Sequence, residues 1–306
     1  MKVFVPMLAS HAGVRDLDLL EKDVRLHLLL ETIVEDPRMG PELFFKGGTC
    51  LIKCYLGYPR FSSDLDFTWR LRDAWQSMGP KPLRRALRPI QRTLLNRLAT
   101  QVSAQGLRFD EDRDVQYGQS NRMMTLVLHY ESILRLPGVV KVQVNFVEPL
   151  LHPTRRIEAR SLLHGGLPPS MKLLDSDLSA RYARTIPVRA YDPREILAEK
   201  GRAILTRTAA KTRDLLDLYL LESDLGLRLE DFGEDIVRKT TLAVSATRRY
   251  HDRLEDAGQR FDLLLAEDVE PLLLKPINVA GFEAYRVRAV GFLGSLLEEL
   301  RQTRST

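Results

Sequence analysis

A chain of 306 residues with 44% hydrophobic content has enough apolar side chain for a substantial core, and its length suits two modest domains better than one. No apolar run is long enough to cross a bilayer, and the opening Met1–Ser10, with one positive charge and a short apolar run broken by Pro6, is a poor secretory signal, so a cytoplasmic protein is expected. The net charge of +5 excludes little by itself, but its distribution is uneven: no acid lies between Asp73 and Asp110, while Lys81, Arg84, Arg85, Arg88, Arg92, Arg97 and Arg108 all do.

In chain order, Leu17 to Val34 reads as a helix, with Leu19, Leu20, Val24, Leu28 and Ile33 near helical spacing and Glu21-Lys22-Asp23 on the exposed side. Glu42 to Phe45 is a short apolar run ending at Lys46, and Thr49 to Leu56 is helical, closed by Gly57 and Pro59. Strand, glycine turn and helix follow one another. Cys50 and Cys54, one helical turn apart with no histidine nearby, read as small apolar residues on one helix face and not as a zinc site or disulfide. Asp64 to Trp69 alternates and reads as a strand.

From Leu83 to Val102 the pattern is helical again. Leu83, Leu87, Ile90, Leu94 and Leu98 form an apolar stripe beside a stripe of Arg84, Arg88 and Arg92, and Pro89 is expected to break or kink the helix near Arg88. Such a block neutralises phosphates, which makes Arg84, Arg88 and Arg92 candidates for RNA binding against the ordinary alternative of a solvated face. Met123 to Tyr130 and Val139 to Val147 read as strands, the second with Val140, Val142, Val144 and Phe146 inward and Lys141, Gln143 and Asn145 outward. Gly165, Gly166, Pro168 and Pro169 give the most linker-like composition, so the domains are expected at 1–165 and 166–306.

Ile186 to Tyr191 adds a possible strand. Helical pattern then runs almost to the end, opened by Asp192-Pro193-Arg194-Glu195 with a capping Asp, a Pro at the first helical position and a Glu three residues after the cap. Lys200 and Arg207 fall on the inward stripe of that helix. After the link Thr208–Thr212, Asp214 and Asp217 share a face with Leu218 and Leu221, so a helical hairpin would bring the two cations toward the two acids. Two readings stand: a structural ion-pair network, or a cationic wall for nucleotide phosphates with an acid orienting it. The six histidines, at 11, 27, 129, 152, 164 and 251, lack ligand or triad spacing.

The chemistry is concentrated early. Gly47 and Gly48 allow a backbone to approach a polyphosphate, and Thr49 adds a hydroxyl. Asp64 and Asp66, at i and i+2 on a strand, point to one side, where they can share a divalent cation. A phosphate cradle followed by a metal-holding strand is the equipment for phosphoryl or nucleotidyl transfer from an NTP with Mg²⁺.

Lys46-Gly47-Gly48-Thr49 followed by Arg60-x-Ser62-x-Asp64-Leu65-Asp66-Phe67 closely resembles the AbiEii family of nucleotidyltransferase toxins, MenT-like toxins among them, itself similar to polymerase β type nucleotidyltransferases. Glu21-Lys22-Asp23 matches the family's opening helix, and Glu195-x-x-x-Glu199-Lys200 with Arg213-Asp214-x-x-Asp217 its downstream signature. The resemblance implies an α/β (α+β) protein with an N-terminal nucleotidyltransferase-like domain built on a small mixed sheet, a mostly helical C-terminal domain, and an active site in the cleft between them. It also implies that Lys46, Asp66, Lys200 and Asp214 are critical for activity and that Gly47, Gly48, Thr49, Ser62 and Arg207 bind nucleotide. Asp64 and Asp66 would hold Mg²⁺. NMP transfer to the 3′ end of tRNA, translation arrest and a cognate antitoxin are implied in the same way. The third carboxylate of polymerase β type enzymes has no counterpart on the Val139–Val147 strand, where Gln143 and Asn145 are neutral and Glu148 lies beyond the end. A protein side chain as acceptor, kinase-like phosphotransfer and a non-catalytic RNA- or partner-binding module are the alternatives.

Overall fold

The computed structural model describes residues 1–70, 75, 78–118, 122–166, 168–172, 176–207, 211–246, 250, 254, 261, 264 and 273–305. His251 and most of the expected Thr208–Thr212 link lie outside them. The chain divides into two compact units, Met1–Tyr191 and Asp192–Thr306.

The first unit is built on one mixed sheet of seven strands: β1 Leu43–Lys46, β2 Asp64–Trp69, β3 Val115–Gly118, β4 Met123–Glu131, β5 Pro137–Asn145, β6 Arg155–Ala159 and β7 Ile186–Ala190, in the order β3-β4-β5-β2-β1-β7-β6. The β2/β5 and β1/β7 pairs are parallel and the others antiparallel. Alternation sorts the sheet's faces. Phe45, Leu65, Phe67, Met124, Leu126, Val142 and Val144 are all buried, and the helix Leu17–Glu35 packs against β2, β5 and β7. The helix Pro80–Val102 runs through Pro89, which therefore does not end it as expected; seven residues on its inner face, from Leu83 to Val102, hold it in place.

The domain break falls later than 165/166. Leu163 and Met171, on either side of the glycine and proline residues, both bury in one cluster with Phe4, Val5, Leu8, Leu20 and Val24. The residues flanking the glycine and proline positions thus pack into one core, and β7 then returns to the sheet between β1 and β6.

Glu21 and Asp23 are buried, contrary to the expected exposed placement. Asp23 accepts hydrogen bonds from Lys53 (2.8 Å), Tyr58 (3.0 Å) and Tyr182 (2.7 Å), while Glu21 pairs with Arg25 and accepts from the Ile133 amide. Burial pulls the Lys53 ammonium down from its ordinary value, and Asp23 opposes the shift. Nearby, His27 donates to the Arg184 carbonyl, and burial with the Lys53 charge lowers its pKa to about 3.

The second unit is helical as expected, with Pro193–Thr206, Thr212–Leu225, Gly233–Ala246 and Val279–Ser305 packed on one another. A Cβ at Gly201 would come within 2.7 Å of Ile236, which shows how closely the first and third of these helices approach. Glu195 and Lys239 form a buried ion pair across the same contact. No described helix is long and apolar enough to cross a membrane.

Asp23→Ala should cost about 3–5 kcal/mol in urea unfolding, because it leaves a buried ammonium without its counter-ion and the Tyr182 hydroxyl without its acceptor. His27 has a folded pKa below its unfolded value, so its contribution to stability is complete above pH 6.5 and is lost as pH falls toward 3. Within that window it should supply a slope of about 1.4 kcal/mol per pH unit. His27→Gln should remove that slope when unfolding is compared at neutral and mildly acid pH.

Candidate active site

The register of the sheet lays the polar residues out in rows. Lys46 pairs with Asp66, Asp66 with Gln143, Gln143 with Thr125 and Thr125 with Gln116, so these five share one face across five strands. Asp64 lies beside Lys141 and Thr68 beside Asn145 on that same face. The opposite row, Phe45, Phe67, Val144 and Met124, is buried and ends at Tyr117 on the edge strand β3.

At the end of β1 the chain turns through Gly47, at φ +75°, into the helix Gly47–Leu51, which continues in a wider turn from Ile52 to Leu56. A Cβ at Gly47 would sit 2.4 Å from Asp66 Oδ2. This residue must be glycine twice over, for its dihedral and for its neighbour. Thr49 is buried, hydrogen-bonded to Ser62 Oγ at 2.8 Å and to the Asp64 carbonyl oxygen, so both hydroxyls fasten the glycine turn to the start of β2. Ser63 donates to Asp64 Oδ2 at 3.1 Å. Cys50 and Cys54 form no disulfide.

Lys46 does not stand alone. Its ammonium is paired with Glu148 and lies 5.4 Å from the centre of the Tyr191 ring. Glu148 also accepts from Asn145 Nδ2 (3.3 Å) and Thr68 Oγ1 (3.5 Å), and Thr68 is bonded to the Tyr191 hydroxyl at 2.5 Å. Sequence reasoning placed Glu148 beyond the strand and gave it no role. The bend after β5 brings it back to the lysine, and only its position three residues past Asn145 hinted at this.

In the second unit the expected hairpin is present. Lys200 Nζ lies 2.7 Å from Asp214 Oδ1 and 2.5 Å from Asp217 Oδ2, and Arg207 pairs with the other oxygen of Asp214. Burial alone would raise the Asp214 carboxyl, but the Lys200 and Arg207 charges outweigh it and hold it below the ordinary range. The two cations and two acids balance within the unit.

The basic block divides. Arg97 is held by Asp36 at 2.6 Å, and Arg108 is tied through its backbone to His129 on β4. Lys81, Arg84, Arg85, Arg88 and Arg92 instead line a groove, which Glu111 also enters, so the absence of acids in the sequence window does not extend to three dimensions.

The mixed sheet thus presents two aspartates at i and i+2 beside a diglycine turn. The chain belongs to the AbiEii nucleotidyltransferase toxin family: the family model, described as nucleotidyl transferase AbiEii toxin of a type IV toxin–antitoxin system, matches residues 28–292. Among solved structures its fold is similar to that of MenT4, a nucleotidyltransferase toxin from Mycobacterium tuberculosis H37Rv, with a TM-score of 0.56 and 23% identity over 99% of this chain and 92% of that one. Comparison with curated proteins gives no match. As a family member the protein is a nucleotidyltransferase that takes an NTP, and an antitoxin is implied as its counterpart.

Gly47→Ala and Gly57→Ala make a matched pair. Both positions have positive φ, at +75° and +64°, but a Cβ at Gly57 meets nothing within 4 Å. Each variant should lose about 1–2 kcal/mol of stability to its dihedral. Only Gly47→Ala, which displaces Asp66, should also abolish nucleotide transfer in an assay with labelled NTP.

Proposed function

We propose that the protein transfers a nucleoside monophosphate from a magnesium-bound NTP to the terminal hydroxyl of an RNA, the 3′ end of tRNA being the favoured acceptor, and that loss of aminoacylation then arrests translation in the cytoplasm. The observation that carries this reading is the packing of Gly47 directly against Asp66, with Asp64 two residues away on the same face. Phosphates bound at the turn would lie next to the two acids.

The donor set fits Mg²⁺. Among the described residues no group of three or more His, Cys, Asp or Glu is placed to hold a metal, and Gln143 occupies the position beside Asp66 on β5. Magnesium characteristically takes one or two carboxylates and completes its shell with water and substrate phosphate oxygens, so Asp64 and Asp66 are sufficient for an ion that arrives with the nucleotide. When bound there, Mg²⁺ supplies charge neutralisation on the triphosphate.

The protein's own groups supply the rest. Gly47 and Gly48 give close access to the phosphates, and Thr49 and Ser62 keep that turn rigid against β2. Lys46 stabilises charge developing on the transferred phosphoryl group, exchanging Glu148 for phosphate as its partner. In the second unit, Lys200, oriented by Asp214, and Arg207 are the cations assigned to nucleotide binding. Arg84, Arg88 and Arg92 bind the RNA.

Incubation with NTP labelled at the α or the γ phosphate, Mg²⁺ and total RNA tests the proposal. α-Label should enter small RNA with the wild type and not with Asp66→Ala, and Lys46→Ala and Lys200→Ala should each lower the rate by about 10²–10³. γ-Label in RNA would establish phosphotransfer instead. Label on protein would identify a side-chain acceptor, and toxicity undiminished in Asp66→Ala would show a binding module.

A further inference from the structure

The helix Pro80–Val102 and the edge strand β3 enclose a groove of about 700 Å³. Its charged wall carries Lys81, Arg84, Arg85, Arg88 and Arg92, none of which forms an ion pair or a side-chain hydrogen bond with a described residue. Arg84, Arg88 and Arg92 succeed one another by a turn of helix, at steps of about 6 Å, comparable to the spacing of successive phosphates along a strand. Tyr117 stands in the groove with 43% of its surface exposed, and Glu111 is the acid that enters it. A row of cations with one exposed aromatic ring is the combination that holds single-stranded nucleic acid: phosphates lie on the cations and an unpaired base stacks on the ring.

The position of this groove gives it a distinct role. Tyr117 continues the row of Phe45, Phe67, Val144 and Met124, which faces away from Lys46 and Asp66. Strand β3 is also three strand spacings from β2, roughly 14 Å. A polynucleotide held here lies on the opposite face from Asp66 and has to pass an edge or an end of the sheet to reach it. The geometry points to an exosite in which Tyr117 and the Arg84, Arg88 and Arg92 row grip unpaired nucleotides several positions away from the reacting hydroxyl. Acceptors must then exceed a minimum length to use it. This inference rests on the proposal that the acceptor is RNA.

Two measurements test the exosite. Binding of a fluorescent single-stranded oligoribonucleotide, followed by anisotropy, needs no transfer reaction. Tyr117→Ala should weaken it by roughly 5- to 150-fold, Tyr117→Phe should retain it, and Arg88→Ala should make the slope of log K against log salt shallower by about 0.7. In the transfer assay, Tyr117→Ala should lower the ratio of kcat/KM for a long acceptor to that for a dinucleotide by the same factor. Equal losses on both acceptors, or wild-type binding by Tyr117→Ala, would overturn the exosite, as would a groove that captures an acidic protein while single-stranded RNA binds Tyr117→Ala normally. If the oligoribonucleotide binds as expected but no RNA of any length is labelled, the groove remains a single-strand binding site while the acceptor assignment, and with it the exosite role, fails.

Discussion

The close approach of Gly47 to Asp66 is the contact on which the rest of the active-site face depends. A side chain at position 47 would meet the carboxylate at 2.4 Å, so the turn leaving β1 and the acid on β2 occupy their positions only because the turn has no Cβ. The Thr49 and Ser62 hydroxyls then lock the same turn to the first residue of β2. Backbone amides at the turn and carboxylates on the strand are thus fixed relative to each other by the fold, before any ligand binds. Such preorganisation is what makes electrostatic stabilisation effective, since nothing has to reorient as charge develops.

Every cation assigned to the chemistry is already matched to an acid: Lys46 to Glu148, Lys200 to Asp214 and Asp217, and Arg207 to Asp214. Buried pairs of this kind contribute little net stability, because desolvation offsets their attraction, yet losing one partner is costly. Their value lies in orientation. A lysine without a partner would sample many rotamers, whereas Lys46, set between Glu148 and the Tyr191 ring, has one position to leave when phosphate competes for it. The groove cations are the contrast. They line an open surface with no acid matched to each of them, as suits side chains that meet a polyanion.

The sheet separates these two kinds of site. Its period-two alternation sends Lys46, Asp66, Gln143 and Thr125 to one face and Phe45, Phe67, Val144 and Met124 to the other, so the same strands present the polar row and close the core. Gln143 beside Asp66 gives that face an amide next to the acid. At 23% identity the likeness to MenT4 extends to the fold and leaves such details to this chain's own residues.

Much of this was legible along the chain. Alternation and end signals are local, so β1, β2, β4, β5, the basic helix and the capped helix start at Asp192 could all be read, as could the diglycine turn, the aspartate pair and the lysine hairpin. The edge strands β3 and β6 were not, because short strands with largely exposed side chains show no core alternation. Glu21 and Asp23 read as solvent-facing since charge favours water, but Lys53 and Tyr182, thirty or more residues away, supply the partners that allow Asp23 to be buried, and Arg25 with the Ile133 amide those of Glu21. The glycine and proline residues after His164 read as a linker, yet the apolar residues flanking them share one core. Sequence by itself thus determined the family signature and which side of an element each candidate group occupies, since residue type and spacing fix charge, ligand character and facing. Only tertiary structure decided which charges are paired, where the units divide and which face of the sheet the basic helix serves, because those outcomes depend on contacts between segments that no local pattern records.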